Sequence, residues 1–360
     1  MVSTKLTISE LPRTPPPADR GPADRGTRRA GGIMVTGGAG YIGSHVVLAL
    51  LEAGWPVIVL DNMSTGRVRT LHRATVLIEG EAGDRALVQR ALEAHDVIGV
   101  VHMAGSIVVP DSVRRPLDYY DNNTVVAHAL LQACTAHGLD AFVFSSTAAV
   151  YGAAASPIPE TAATEPLNAY GASKLMIERI VRDVGHAHDL PHAILRYFNV
   201  AGADPEGRTG QVVENATHLL KVACEVALGE RPSMAIFGTD YPTPDGTCIR
   251  DFIHVTDLAR AHVAAIEHLV GGGASTILNC GYGRGFSVRQ VLEAVTRLSG
   301  RPLKVHETAR RPGDAAEVVA DVGRIRSLLD WRPEHDDLDT IVTHALAWER
   351  KRLGHDSAGD

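Results

Sequence analysis

Cysteine and aromatic residues are scarce in this sequence, and long apolar runs are missing. Four cysteines occur among 360 residues, and no two stand close enough to suggest a metal knuckle or a redox pair. We interpret them as small buried hydrophobic residues of a protein in a reducing compartment. No stretch approaches the ~20 apolar residues of a membrane span, and the N-terminus lacks the apolar core of a secretory signal. We therefore expect a cytoplasmic protein with no membrane partner and no metal site.

Basic residues are in the minority as well. The sequence has 35 Lys and Arg against 42 Asp and Glu, a net charge of -7. Nucleic-acid binding depends on basic patches that neutralise phosphates, so this balance argues against a nucleic-acid partner. A small anionic ligand remains compatible with it, because such a ligand needs only a few local donors.

The first 30 residues are poor in aromatic residues and rich in Pro, Arg and Asp. A segment of this composition buries too little apolar surface to offset the entropy lost on ordering. We expect residues 1–30 to form a disordered tail without a catalytic role.

From Gly31 onward, short apolar runs alternate with helical stretches. Strands are predicted at residues 33–35, 57–60, 76–78, 97–101, 142–144 and 193–195, with a helix over 42–53. The alternation predicts an α/β fold in which residues 31–199 form a Rossmann-type, doubly wound parallel sheet with helices on both faces. Residues 200–360 are expected to form mainly a smaller α/β substrate-binding cap, with some segments that return to the Rossmann core. In this part we predict helices over 212–228, 255–269, 288–298 and 338–350, and a strand over 234–237.

A glycine-rich turn follows the first predicted strand. Its glycines, Gly37, Gly40 and Gly43, permit a tight turn and let backbone amides approach a pyrophosphate at the start of a helix. The next strand ends in Asp61-Asn62, where a carboxylate accepts hydrogen bonds from adenosine ribose hydroxyls and repels the extra phosphate of NADP. The two features together predict a bound NAD.

Two further strand ends lie near this cofactor. Glu81 and Ala82 follow the third strand and are expected at the adenine. Met103, Ala104 and Gly105 follow the fourth, where the cofactor ribose should pass. His102, just before them, is interpreted as a packed strand-end residue rather than a base.

The chemistry is predicted from Tyr170 and Lys174, which share one helix face at i and i+4. A free tyrosine titrates near pH ~10, too high for a good base at neutral pH. A nearby ammonium and the positive nicotinamide ring are expected to favour the phenolate, which then takes a proton from a sugar hydroxyl as hydride leaves the same carbon. Thr147, at the end of the preceding strand, supplies a hydroxyl between the substrate oxygen and Tyr170.

With these motifs the chain resembles the extended short-chain dehydrogenases/reductases and, among them, the UDP-glucose 4-epimerases. The similarity runs from about Gly32 to Arg350. The motifs that carry it lie at residues 36–43, 61–62, 119–123, 145–152, 170–174 and 196–199, and in the cap at 236–238, 240–243, 245–247, 250–255 and 310–314.

The resemblance implies a homodimer that interconverts UDP-glucose and UDP-galactose through a transient 4-keto sugar, as part of galactose metabolism. It adds further contacts to the NAD site: Tyr41, Ile42, Met63, Ser64, Asn122 and Phe198. It implies that Asn199 and Arg250 contact UDP, that Arg311 binds the phosphates and that Asp314 binds a ribose hydroxyl. It also implies a uracil pocket at Ala235, Ile236 and Phe237, and sugar contacts at Tyr197, His218, Leu219 and Val318.

Several alternatives stay open at this stage. A dehydratase of this fold carries an Asp-Glu pair where this chain has Thr147-Ala148, so dehydration lacks its proton donor. A UDP-uronic acid decarboxylase would need a carboxylate-binding arrangement that the sequence does not display. An epimerase for UDP-N-acetylglucosamine or a UDP-pentose is a closer alternative, because Val318 replaces a bulky tyrosine of hexose-restricted relatives. A non-catalytic NAD sensor is disfavoured, since Tyr170, Lys174 and Thr147 are all present.

Overall fold

The computed structural model describes residues 5–6, 31–213, 216–311 and 313–354. Apart from residues 5 and 6, the predicted disordered tail over 1–30 lies outside these ranges. The strands in chain order are β1 (Lys5–Leu6), β2 (Gly32–Thr36), β3 (Val57–Asp61), β4 (Val76–Glu79), β5 (Val97–His102), β6 (Ala141–Thr147), β7 (His192–Tyr197), β8 (Asn199–Ala201), β9 (Met234–Phe237), β10 (Ile249–His254), β11 (Thr276–Cys280), β12 (Gly285–Ser287), β13 (Val305–Thr308) and β14 (Glu317–Val318).

The α-helices are α1 (Tyr41–Glu52), α2 (Arg85–Ala94), α3 (Val109–Arg114), α4 (Pro116–Tyr119), α5 (Val126–His137), α6 (Ala169–His188), α7 (Leu219–Ala227), α8 (Val255–Val270), α9 (Val288–Ser299), α10 (Gly323–Leu328) and α11 (Leu338–Arg352). Short 3-10 helices lie at Val68–Thr70 and Ala148–Val150, and a π-helical turn spans Tyr120–Val125.

The main sheet is parallel, in the order β4-β3-β2-β5-β6-β7-β11, with the two-residue β1 beside β4. Strands β2, β3, β5, β6 and β7 are buried along their whole length, as expected for a sheet covered by helices on both faces. The strand order reverses between β2 and β5, which is where open α/β sheets bind ligands at the carboxyl ends of their strands. The predicted fold class is confirmed, and all six strands predicted for this half are present, each slightly longer than expected.

The chain returns to this sheet late. Strand β11 pairs with β7 from Thr276↔Ala193 to Cys280↔Tyr197, and helix α8 packs against α1 and against β6 and β7. Aliphatic residues of α8, such as Leu258 and Ile266, are fully buried in the core on that face. The sheet that carries the cofactor site is therefore completed by a segment more than 70 residues after β7.

The strands outside the main sheet form two smaller groups. Strand β10 pairs with β8, β12 and β14, and β9 pairs with β13. The predicted strand over 234–237 is present, as are the helices expected over 255–269, 288–298 and 338–350.

The helix predicted over 212–228 begins only at Leu219, so its first two turns are wrong. The Trp348 ring lies on Gly210, where an added Cβ would meet ring atoms at 2.5 Å, and its indole donates to the Gln211 carbonyl over 3.1 Å. These contacts with α11 fix the backbone at 210–211, just before the predicted helix start, and a local pattern cannot reveal them.

Candidate active site

The glycine turn between β2 and α1 leaves no room for side chains. Gly37 has a φ of 71°, and a Cβ there would lie 2.7 Å from the backbone nitrogen of Ala104. A Cβ on Gly43 would lie 2.2 Å from the Gly37 carbonyl oxygen. Helix α1 starts at Tyr41 with Gly40 as its N-cap, and no side chain caps it. The free amides at this helix start therefore face an open edge that suits a phosphate.

Asp61 braces this turn from the end of β3. Its carboxylate accepts hydrogen bonds from the backbone N–H groups of Ala39, at 2.9 Å, and Met63, at 2.8 Å. A carboxylate offers about four acceptor positions, so ribose hydroxyls can still be bound. Asp61 thus supports the turn as well as being the predicted ribose ligand.

The predicted adenine contacts lie at the exposed rim beside Asp61. The Asn62 amide donates to both Glu81 carboxylate oxygens, at 3.2 and 3.3 Å, and accepts from the Ser64 hydroxyl at 2.7 Å. Ala82 is buried next to Glu81. These contacts tie the ends of β3 and β4 together, while Ile42 is half-buried in the first turn of α1.

The loop after β5 is held by an asparagine that sequence reasoning did not select. Buried Asn123 accepts from the Ser106 N–H at 2.7 Å and donates to the Ser173 hydroxyl of α6 at 3.0 Å. The predicted Asn122 is exposed, and its amide donates to the Ser106 hydroxyl at 2.8 Å. The Asn-Asn pair signals this place, but only the π-helical turn shows which member points inward.

His102 is not a base in this arrangement. It is fully buried, its Nδ1 lies 2.7 Å from the Thr36 hydroxyl, and its ring stacks on Phe144 at 5.9 Å. Burial and, to a smaller extent, the Lys174 charge together lower its pKa to about 3. His102 is therefore neutral at physiological pH, as the sequence interpretation expected.

Helix α6 brings Tyr170 and Lys174 to the end of β6. Asn168 caps its start by accepting from the Gly171 N–H at 2.9 Å. The Lys174 ammonium donates to the Ser145 carbonyl at 2.9 Å and lies 5.0 Å from the Phe144 ring centre. The Thr147 hydroxyl hydrogen-bonds with the Tyr170 phenol and accepts from the Ala149 N–H at 3.1 Å. The three predicted catalytic residues are thus adjacent.

Desolvation dominates the electrostatics of Tyr170 and Lys174. Desolvation raises the pKa of Tyr170, although the residue is only half-buried, and this outweighs the lowering by the Thr147 hydrogen bond. Burial lowers the pKa of Lys174 to about 8, against the upward effect of Glu178. Desolvation thus opposes ionisation of the phenol more strongly than one hydrogen bond assists it. The expected effect of the Lys174 ammonium together with the positive nicotinamide ring stays a prediction.

Part of the predicted UDP site is assembled by cap strands. Arg250 of β10 and Val318 of β14 are register partners, and the Arg250 guanidinium lies 3.8 Å from the Asp314 carboxylate. The Arg311 guanidinium lies 3.7 Å from the Phe237 ring centre on β9. Two arginines and an aromatic face suit a nucleoside diphosphate. The other two predicted uracil contacts are neighbours of Phe237 on β9: Ala235 and Ile236.

Two of the predicted sugar contacts, His218 and Leu219, share a cavity with the predicted UDP contact Asn199. Asn199, His218 and Leu219 line one cavity together with the Tyr41 ring of the glycine turn. His218 Nδ1 lies 2.9 Å from the Gln211 amide nitrogen, and the Tyr41 phenol donates to the Gly202 carbonyl at 2.6 Å. At the end of β7 are two further predicted residues, which are buried: Tyr197 and Phe198.

Two kinds of feature are absent from the residues that the structure describes. In these ranges no cluster of His, Cys, Asp and Glu has a metal-binding arrangement. Within the same part of the chain, no helix combines the length and apolarity needed to cross a membrane.

Comparison with known proteins gives consistent matches. The sequence profile of the NAD dependent epimerase/dehydratase family matches residues 33–281. A UDP-glucose 4-epimerase of Azospirillum brasilense is 58% identical over 319 residues, which cover 88% of this chain and 92% of the relative. The crystal structure of a Brucella ovis UDP-glucose 4-epimerase with NAD has a TM-score of 0.86 at 40% identity, covering 88% of this chain and 98% of that chain. A UDP-Glc/GlcNAc 4-epimerase from Campylobacter jejuni has a TM-score of 0.78 at 44% identity, covering 89% and 99% of the two chains.

Proposed function

Since this chain belongs to the NAD dependent epimerase/dehydratase family, we propose that it is a UDP-glucose 4-epimerase that works with tightly bound NAD. The observation that carries the proposal is the adjacency of Thr147, Tyr170 and Lys174 at the end of β6, beside the glycine turn. We assign residues 31–199 to NAD binding, and residues 200–360 mainly to the nucleotide-sugar cap.

The glycine turn fits the cofactor. At Gly37 and Gly43 a Cβ would collide with backbone, so the amides can approach a pyrophosphate closely. Asp61 would hold the adenosine ribose, and Lys174 would donate to the nicotinamide ribose. When bound, NAD accepts the hydride from C4 of the sugar and returns it to the other face of that carbon.

Tyr170, assisted by Thr147, transfers the proton of the C4 hydroxyl. In the first half of the reaction the Tyr170 oxygen takes the proton of the C4 hydroxyl, while the Thr147 hydroxyl orients that oxygen. In the second half Tyr170 returns the proton to the 4-keto oxygen. Lys174 keeps a positive charge on this face of α6 and thereby favours the phenolate during the proton transfer.

The cap binds the nucleotide while the 4-keto sugar rotates in the pocket. Arg250 and Arg311 grip the diphosphate by charge-assisted hydrogen bonds, Asp314 binds a ribose hydroxyl, and Phe237 packs on the uracil. Holding UDP in one place keeps the 4-keto sugar in the pocket between the two hydride transfers.

The end of β6 favours epimerisation over dehydration. Loss of water from the sugar needs a carboxylic acid at the end of β6. At the position after Thr147 this chain has Ala148, which is buried and has no ionisable group. The nearby carboxyl of Glu178 is paired with Arg196 and so is not a free proton donor. A 4-keto sugar formed here is therefore reduced rather than dehydrated.

The proposal is tested by incubating purified protein with UDP-galactose and no added cofactor. We expect UDP-glucose to accumulate to an equilibrium mixture without net production of NADH. Formation of a dehydrated 4-keto-6-deoxy sugar would identify a dehydratase instead. A protein that carries NAD but turns over neither UDP-hexose would support the sensor alternative.

Val318 is expected to admit N-acetylated sugars. Its side chain is half-buried beside Arg250, and the Campylobacter jejuni protein with a similar structure is described as acting on both glucose and N-acetylglucosamine forms. We predict measurable kcat/KM on UDP-N-acetylgalactosamine, and a fall of at least about tenfold in Val318→Tyr, because an added ring occupies the space for the acetamido group. The same variant should change kcat/KM for UDP-galactose much less. Equal rates in both proteins for both substrates would mean that Val318 does not line the pocket.

A homodimer is supported by an exposed apolar surface on α3, α4 and the π-helical turn. Val113, Leu117 and Val125 are 66%, 74% and 58% exposed, and these elements pack on one another and on α6, where Met176 is also exposed. Apolar side chains grouped in this way are typical of a protein contact. Light scattering should give twice the chain mass for the native protein, and the monomer mass for Leu117→Glu.

The location and pathway follow from the same proposal. All four cysteines are free and buried, which suits the reducing cytoplasm. An enzyme that interconverts UDP-glucose and UDP-galactose there serves galactose metabolism. Cell fractionation, and growth of a deletion strain on galactose, would test these two statements.

A further inference from the structure

Behind Lys174, helix α6 carries a buried ion pair that the proposed reaction does not use. Glu178 lies one turn after Lys174, and its side chain is 2% exposed. Arg196 of β7, whose side chain is 5% exposed, donates to both carboxylate oxygens, with Nε 2.9 Å from one of them. The Ser146 hydroxyl, next to Thr147, donates to the same carboxylate. The pair therefore joins the catalytic helix to both strands beneath it.

The side of Arg196 that faces away from Glu178 also has hydrogen-bond partners. Arg196 Nη1 donates to the Tyr151 hydroxyl at 3.0 Å, and the guanidinium carbon lies 4.8 Å from the Tyr151 ring centre. The Tyr151 hydroxyl donates to the Asn279 side chain of β11 at 2.6 Å. The network thus runs from β6 through α6 and β7 to β11, with each polar group bonded. A buried bidentate pair of this kind holds one geometry, because losing either partner leaves an uncompensated charge.

We propose that Glu178, held by Arg196 and Ser146, is a positioning residue for Lys174: it fixes the register of α6 on β6 and β7 and holds one negative charge a single helical turn behind the ammonium. The inference rests on the proposed function, because it assigns Glu178 a part in that reaction through Lys174.

The other groups that face Lys174 do not supply this charge. On its own helix Tyr170 is the second titratable neighbour, and desolvation raises the pKa of that phenol. From β5 the neighbour is His102, which stays neutral because burial lowers its pKa to about 3. From β6 the contacts are the Ser145 carbonyl and the Phe144 ring, and the backbone of Gly105 approaches from the loop after β5.

The charge matters because Lys174 is desolvated. Burial lowers the pKa of Lys174 to about 8, and Glu178 opposes that fall. The ammonium is therefore present below about pH 8 and is lost as the pH rises through that value. Without the negative charge of Glu178, the pKa of Lys174 falls further, and the ammonium loses its proton closer to neutral pH. The carboxylate thus keeps the lysine protonated at the pH at which the enzyme works.

The test follows the alkaline limb of the kcat–pH profile in the holoenzyme. For Glu178→Gln we expect the limb to move down by about one to two pH units, the size expected when one charge about a helical turn away is lost in an effective dielectric of about 20. Arg196→Lys keeps both charges and loses the bidentate contact. It should lower the melting temperature and leave the limb in place.

A further variant separates charge from packing. Glu178→Gln combined with Arg196→Gln has no unpaired buried charge, so it provides the same test if the single Glu178 variant does not fold. Its limb should also move down, but by less than in Glu178→Gln, because the double variant lacks the positive charge at 196 as well as the nearer negative charge at 178. A limb that stays in place when Glu178 is neutral, or that moves equally in Arg196→Lys, would overturn the inference. Wild-type protein without turnover would instead contradict the proposed function.

Discussion

Gly43→Ala is expected to yield folded protein that no longer retains NAD. The added Cβ would lie 2.2 Å from the Gly37 carbonyl oxygen and 2.8 Å from the Gly38 Cα, both backbone atoms that no rotamer change can move. The turn must open, which displaces the amides that bind the pyrophosphate, and a misplacement of ~1 Å is enough to reduce turnover by about 10²-fold. Denaturing the purified protein and measuring the NAD released gives the cofactor content directly.

The matched control for this variant is Gly83→Ala. A Cβ on Gly83 would meet Val126 Cγ2 at 3.4 Å, an ordinary contact, in the neighbouring loop after β4. This variant should carry as much NAD as the wild type, which should contain it without supplementation. If Gly43→Ala retained full NAD content, the glycine turn would not be the pyrophosphate site. Finding NADP in the wild type would contradict the role given to Asp61.

Tyr170→Phe is expected to reduce turnover by about 10²-fold or more, because the variant lacks the group that takes and returns the proton. The ring itself is kept, including its edge contact with Tyr119 at 6.5 Å, so the fold and the NAD content should not change. Initial rates of UDP-galactose epimerisation, measured together with the cofactor content, would show the effect.

A neighbouring tyrosine provides the control. The Tyr119 hydroxyl donates to the Val108 carbonyl on the other side of the same ring contact. Tyr119→Phe should lose about 1 kcal/mol of stability for one hydrogen bond and keep turnover within about threefold of wild type. Near-normal activity in Tyr170→Phe, or equal losses in both variants, would show that the Tyr170 hydroxyl is not the acid/base.

The parallel sheet and the glycine turn were predictable because their signals are local. Apolar runs of three to five residues, separated by helical stretches, place the ends of β2 to β7 to within three residues. The turn is likewise readable, since only glycine fits where backbone meets backbone, as at Gly37 and Gly43. Tyr170 and Lys174 are joined by helical spacing alone, and Thr147 follows from the end of the preceding strand.

Features that depend on distant contacts were not predictable in this way. Helix α7 begins at Leu219 rather than at 212, and the backbone ahead of it is held at Gly210 and Gln211 by Trp348 of α11. The choice between Asn122 and Asn123 depends on a π-helical turn that rotates one side chain toward α6. Each of these contacts joins residues far apart in sequence, so no local pattern records it.

In the candidate site, too, some properties follow from local sequence and others from distant contacts. Which residue types meet the substrate can be inferred from motifs, since each motif lies within one strand, turn or helix. The electrostatic character of those residues cannot, because it depends on burial and on partners from other elements. Desolvation raises the pKa of Tyr170, and the carboxylate behind Lys174 is held by an arginine from β7. The amino-acid order thus specifies the chemical groups and their local spacing, whereas packing of the sheet, helix α6 and the cap sets their desolvation and their charge partners.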